Sequence, residues 1–199
     1  MKRFLISISI LLISICPIFA QSEEEPAAPA ENFSYAQNDK GDQFIKIGVM
    51  PNFPLDFEDK LYIGGAVQLG YYRFLNTWFA VGGELMAGYN LTLGSNIFTF
   101  VPITGGVMFQ PSIWKFEFPV TLSTGMTFRT YNNKKRFPDP VFKAEAGAFF
   151  RIAESWSFGL SGEFLYLPEW WYKDTSNNMI FQNENGLFVQ ATISARYHF

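Results

Sequence analysis

The final residues of the chain alternate strictly. Leu187, Val189, Ala191, Ile193, Ala195, Tyr197 and Phe199 share one parity; Phe188, Gln190, Thr192, Ser194, Arg196 and His198 share the other. Successive side chains of a β-strand point to opposite faces, so this is a strand with one apolar and one almost wholly polar face. The pattern recurs. Phe116, Phe118, Val120, Leu122, Met126 and Phe128 oppose Glu117, Thr121, Ser123, Thr127 and Arg129. From Phe142 to Ile152, Ala144, Ala146, Ala148 and Phe150 oppose Lys143, Glu145, Gly147 and Arg151. Trp156, Phe158, Leu160, Phe164 and Tyr166 oppose Ser157, Ser161 and Glu163. Earlier strands are expected over Gln43–Met50, Leu61–Phe74, Trp78–Leu91 and Ile97–Gln110. The expected fold is all-β with eight strands.

The connections alternate as well. Those at Leu75–Thr77, Pro111–Ile113 and Ala153–Ser155 are short. Those at Pro51–Lys60, Asn132–Pro140 and Pro168–Asn185 are long and polar, and Thr92–Asn96 is intermediate. Short periplasmic turns and longer outer loops are the signature of an antiparallel up-and-down transmembrane β-barrel, and an even strand count leaves both chain ends on the periplasmic side. Composition agrees: aromatics make up 19% and charged residues only 17%, against about a quarter charged in soluble domains. Beyond the first twenty residues, no run approaches the ~20 apolar residues of a membrane helix.

Residues 1–20 are expected to be a signal peptide. Lys2 and Arg3 precede the apolar run Phe4–Ile15, and Ile18-Phe19-Ala20 offers cleavage after Ala20. A lipid on Cys16 is the alternative, against which Ile15 is bulky where a small residue is expected. Cleavage after Ala20 removes the one cysteine, so no disulfide framework is expected. Residues 21–42, with Glu23–Glu25 and a Pro/Ala run, read as a disordered acidic periplasmic linker, and residues 43–199 as the barrel. The chain carries 15 Lys+Arg against 18 Asp+Glu, which is no footprint for nucleic acid.

Alternation alone leaves open which face is outside, since a soluble lipocalin-like carrier turns its apolar face inward around a ligand. Here the polar face is built of Gly, Ser, Thr and Gln, with Lys46, Arg129, Lys143, Arg151 and Arg196 set against Glu84, Glu117, Glu145 and Glu163. Such charges suit a narrow lumen in which they pair. Aromatics fall at both strand ends. Phe79, Phe109, Phe116, Phe150, Trp156, Tyr197 and Phe199 lie at one, and Tyr89, Phe128, Phe142, Phe164 and Tyr166 at the other, as two interfacial girdles. Outer-membrane lipid is therefore the expected surroundings. Pro102 and Pro119 interrupt adjacent strands and are expected to mark bulges or strand ends, or a lateral gap between them.

With a signal segment, a linker, eight strands and a terminal Phe199, the chain resembles small bacterial outer-membrane barrels of the OmpW and OmpX/OmpA types. Ile45-Lys46-Ile47-Gly48 followed by Pro51-Asn52-Phe53-Pro54 looks most like the OmpW-like proteins, including spirochaetal ones. Tyr197 and Phe199 resemble the terminal signal read by the barrel-assembly machinery. The resemblance implies a narrow conduit for small apolar molecules.

The lumen parity carries Met50, Tyr62, Phe98, Phe100, Leu165 and Phe188 near the outer ends, a candidate apolar pocket above a polar plug. Glu117, Arg151, Arg196 and His198 are expected low, Arg129 and Lys143 high. A surface-interaction role is the alternative, resting on basic Asn133–Arg136 and on Trp170-Trp171-Tyr172 in the longest loop. An enzyme is not expected: His198 is the one histidine, and Glu163 with Asp174 makes no recognisable pair. No metal and no cofactor is expected either.

Overall fold

A computed structural model of the chain describes residues 38–56, 61–91, 97–131, 134–169, 172–173, 179–180 and 184–199. The expected signal segment, residues 21–37 of the linker, Asn133, Trp170, Trp171 and Asp174 lie outside them. The strands are β1 (Gln43–Asp56), β2 (Gly64–Phe74), β3 (Phe79–Leu91), β4 (Ile97–Phe109), β5 (Ser112–Ile113), β6 (Phe116–Glu117), β7 (Val120–Tyr131), β8 (Lys134–Arg151), β9 (Trp156–Glu169), β10 (Tyr172–Lys173), β11 (Met179–Ile180) and β12 (Glu184–His198). Eight of them form the wall, each antiparallel to its neighbours in the order β1-β2-β3-β4-β7-β8-β9-β12, and β12 pairs back onto β1. The fold is thus a closed eight-stranded antiparallel up-and-down transmembrane barrel, in which no wall strand is left with an open edge.

The short turns, the start of β1 and Phe199 gather at one end of the barrel. Gln43 N and Phe199 O are 3.3 Å apart, Gly41 N donates to Phe74 O, and His198 N donates to Ser155 O. Within the expected linker, Asn38–Asp42 therefore packs onto this turn end: Asp42 Oδ2 accepts from Asp39 N at 2.8 Å, and Gly41 takes φ +106°, which a residue with a Cβ rarely adopts.

Several strands outrun the sequence reading. β1 continues through Pro51 to Asp56, and β8 begins at Lys134, so most of two expected loops is strand. The prolines concealed this. Pro51 pairs with Gly65 of β2, while the ladder to β12 skips from Val49↔Ile193 to Asn52↔Gln190. Pro102 likewise pairs with Thr127 of β7, while the ladder to β3 skips from Ile103 to Phe100. A strand residue bonds chiefly toward one side, so a missing N–H interrupts one ladder and leaves the other intact. Neither Pro102 nor Pro119 carries a register shift. The pairing of β4 with β7 runs unbroken from Thr99 to Phe109, so the lateral gap considered between those strands is not there. Pro119 sits between β6 and β7 and accepts from Gly147 N at 3.0 Å. The bulges lie instead at Pro54/Asp56 and Thr127/Arg129.

Facing follows parity. Val49, Leu122, Leu160 and Ile193 are 56–64% exposed on the outer wall, whereas Lys46 and Arg196 are fully buried in the lumen. That is the reverse of a lipocalin, whose wall is solvated, and the soluble-carrier alternative falls with it.

Candidate functional site

The lumen is the one compartment where the sequence concentrates chemistry. It is filled in three ranks. At the loop end Met50, Ala66, Met86, Phe98, Phe100, Val141, Leu165, Leu167 and Phe188 form a buried cluster. Phe98, Phe100 and Phe188 stack with centroids 5.7–6.1 Å apart. Phe100 fits because its cross-strand partner is Gly88: a Cβ there would come within 2.3 Å of the ring. One flank of this rank is polar. Asn52 Nδ2 donates to Asn90 Oδ1 at 2.6 Å, and Gln190 Nε2 donates to Asn52 Oδ1 at 3.0 Å.

Five of the six expected pocket residues, Met50, Phe98, Phe100, Leu165 and Phe188, join this rank. Tyr62 does not. β2 begins only at Gly64, so strand parity does not reach Tyr62, and its side chain is 53% exposed. Its backbone is instead tied across to β3, N to Leu91 O at 2.7 Å and O to Asn90 Nδ2 at 2.8 Å. Leu61 packs against the cluster in its place. Met86, Val141 and Leu167 share the lumen parity and were open to the same reading.

The middle rank is ionic. Lys46 Nζ lies 2.7 Å from Glu84 Oε1 and from Glu145 Oε2. Lys143 Nζ pairs with Glu84, and lies 2.9 Å from Glu163 and 3.4 Å from Glu145. Gln68 Nε2 and Thr192 Oγ1 donate to Glu163 Oε1 at 2.7 and 2.6 Å. Lys143, expected high, thus reaches the centre. Arg129 is the high charge, paired at 2.7 Å with Asp139, a carboxylate the sequence reading left in a loop. Both face the lumen by plain alternation, Arg129 in step with Thr127 and Asp139 in step with Val141 and Lys143; the bulge in β8 lies just before Asp139. With Asp139 counted, the described residues place five acids against five bases in the lumen, so these buried charges balance.

The third rank, at the turn end, mixes both chemistries. Glu117 Oε1 and Oε2 lie 3.6 Å from Arg151 and Arg196. Arg196 donates to Gln110 Oε1 at 2.9 Å, and its guanidinium lies 3.4 Å from the Phe149 centroid and 4.8 Å from that of Phe44. Beside it Phe44, Tyr72, Phe74, Ala80 and Met108 form a second apolar cluster, where the sequence reading had only a polar plug. Asn38 seals this end: it is buried, and its Oδ1 accepts from Arg151 at 3.2 Å.

His198 Nε2 lies 2.9 Å from Ser157 Oγ, but its Nδ1 meets no carboxylate among the described residues. A Ser–His couple without an orienting acid is not a hydrolytic triad. No group of three or more His, Cys, Asp or Glu side chains suited to a metal occurs among the described residues. Tyr197 and Phe199 face outward, Tyr197 5.1 Å from Trp156 and 6.2 Å from Phe199.

Comparison with known proteins agrees with this geometry. A protein-family model matches residues 20–197. Two uncharacterized proteins of Treponema pallidum (strain Nichols) are similar. One is 28% identical over 60% of this chain and 62% of its own length, the other 22% identical over 69% and 50%. The chain therefore spans only half to about three-fifths of these curated relatives. Among solved structures, Neisserial surface protein A superposes with a TM-score of 0.66 at 7% identity, covering 80% of this chain and 100% of that one. OprG from Pseudomonas aeruginosa gives 0.51 at 12% identity, over 81% and 97%. Ail, the attachment invasion locus protein of Yersinia pestis, gives 0.50 at 15% identity, over 80% and 99%. At such identities the likeness establishes the fold, that of the small outer-membrane barrels.

Proposed function

We propose that this chain, which belongs to the family whose model matches residues 20–197, is an integral outer-membrane barrel with a sealed lumen, acting at its surfaces rather than as a pore. One observation carries the reading: three successive ranks of buried side chains, two of them braced by ion pairs, occupy the lumen from Phe98 to Asn38. An eight-stranded barrel is just wide enough to be filled in this way. Export by the segment ending at Ala20, an acidic linker, and recognition of Tyr197 and Phe199 by the assembly machinery belong to the same reading. The surfaces on offer are the outer wall and the loop-end hairpins, among them β7–β8, whose sequence includes Lys134, Lys135 and Arg136. The test is electrical. The protein reconstituted in planar bilayers is expected to show no conductance steps above the lipid background; stable steps from the unmodified chain would overturn the sealed-lumen reading.

A second reading is favoured by the stacked Phe98, Phe100 and Phe188 beneath the loops. In it, as OmpW-like kinship would suggest, the upper rank opens to take a small apolar molecule between these rings. Titrating an apolar fluorescent ligand against the tryptophan emission of nanodisc-held protein tests it. Saturable binding that Phe98→Arg abolishes would support it, and the absence of binding to a well-folded barrel would end it.

A further inference from the structure

Among the described residues, two apolar recesses interrupt the outer wall. The first, of ≈ 540 Å³, crosses β4, β7, β8 and β9; its floor is Gly105, Thr124 and Ala144, and its upper edge Phe142 and Tyr166. The second, of ≈ 560 Å³, crosses β12, β1, β2 and β3; its floor is Pro51, Gly65 and Ala87, and its upper edge Tyr89. Strand register lays each out as a row. Tyr166↔Phe142, Phe142↔Thr124 and Thr124↔Gly105 form one, and Tyr89↔Gly65 and Gly65↔Pro51 begin the other. Both rows step from a tyrosine at the loop end toward earlier strands, so they descend the tilted wall in the same sense. Between them they divide the eight wall strands into two sets of four. Each spans three strand spacings, roughly 14 Å at ~4.8 Å apiece.

The floor glycines are not there for the barrel's own packing. A Cβ at Gly106 or Gly125 would strike backbone oxygen at 2.2 or 1.9 Å. At Gly105 the nearest atom would be 3.7 Å away, and at Gly65 3.6 Å, which is ordinary contact. A larger residue would fit at either position, and its absence leaves the recess open. Both recesses lie within the apolar wall of a transmembrane barrel, so hydrocarbon is the phase that meets them. An unfilled slot there would forfeit dispersion contacts along its whole lining.

We propose that each recess seats one acyl chain of a membrane lipid, the chain lying obliquely along the row and its glycerol end held at the tyrosine. Tyr89 and Tyr166 suit that end, with a ring against hydrocarbon and a hydroxyl at the polar boundary. The inference rests on the transmembrane fold and is independent of whether the lumen is sealed.

Native mass spectrometry of the full chain, released from nanodiscs of phosphatidylethanolamine and phosphatidylglycerol, tests it. The unmodified protein is expected to retain two lipids. Gly105→Leu and Gly65→Leu are each expected to lose one, and the double variant both. Gly162→Leu is the control: Gly162 faces outward, has nothing within 4 Å of its Cβ position and lies in neither recess, so both lipids should stay. Heat-modifiable gel migration verifies that each variant folds. Equal retention by all five folded proteins would overturn the proposal. So would a lipid-free dimer of the unmodified chain that Gly105→Leu or Gly65→Leu splits, since a second copy would then be the occupant.

Discussion

Lys143 lies 2.9 Å from Glu163 and 3.4 Å from Glu145, and it also pairs with Glu84. Removing its ammonium while keeping those carboxylates leaves Glu163 with only Gln68 and Thr192 as described partners. Lys143→Met is therefore expected to destabilise the barrel by about 3–5 kcal/mol, read from the midpoint of urea unfolding in lipid vesicles. Adding Glu163→Gln should restore most of that, because the pair is then removed together; a double variant no more stable than the single would refute the coupling. Glycines divide in the same local way. Gly88→Ala drives a methyl into the Phe100 ring and should cost about 1–3 kcal/mol. Gly162→Ala meets nothing and should stay within about 0.5 kcal/mol of the parent in the same assay. Parity already sets Gly88 in the lumen with Glu84 and Gly162 on the outer wall, but the size of the clash is not visible in sequence. It depends on which cross-strand side chain lies against each one.

At the scale of elements, the legible part of the fold is what parity governs. Lys46, Glu84, Glu145 and Arg196 could be placed in the lumen from alternation alone, and the structure brings all four inside. Parity fails where a strand's limits are hidden. Tyr62 lies two residues before β2 begins, and Pro138 and Pro140 give the strand residue Asp139 the look of a loop residue. Proline signals a missing donor but not the direction in which it is missing, and a barrel strand has a partner on both sides. Pairing across the lumen is beyond sequence altogether: Lys46 and Glu145 are 99 positions apart and meet only because the wall closes. The closing strand is where assembly can be separated from stability. Phe199 N donates to Gln43 O at 3.0 Å through its backbone, while its ring faces outward. Phe199→Ser keeps that bond. It is expected to leave the unfolding midpoint of refolded protein nearly unchanged while lowering the fraction that reaches the membrane in cells, measured by fractionation and gel mobility. Equal delivery of both proteins would overturn the assembly role proposed for Phe199.

For the whole molecule, the decisive property is that the three ranks stand in series. A path through the barrel is no wider than its narrowest rank, so opening one cannot make a pore while the others hold. Apart from its Asn52/Asn90/Gln190 flank the upper rank is apolar and stacked, and removing its rings leaves a largely apolar void able to take an apolar guest. Phe98→Ala with Phe188→Ala should therefore gain affinity for a small aromatic probe yet conduct no ions. Below that void, Lys46 and Lys143 still bridge β1, β3, β8 and β9 through Glu84, Glu145 and Glu163, and these pairs are too buried for salt to screen strongly. Raising the salt from about 0.1 to 1 M should then leave both the conductance and the unfolding midpoint of this variant close to their starting values, although it shortens the Debye length to roughly 3 Å. Ion flow through the Phe98/Phe188 variant would place the seal in the aromatic rank alone. Silence there, and still after Lys46, Glu84, Lys143, Glu145 and Glu163 are also replaced by serine, would show that the turn-end rank of Glu117, Arg151 and Arg196 seals the barrel by itself; conductance at that second step would place the seal in the ionic rank and show that the turn end is open.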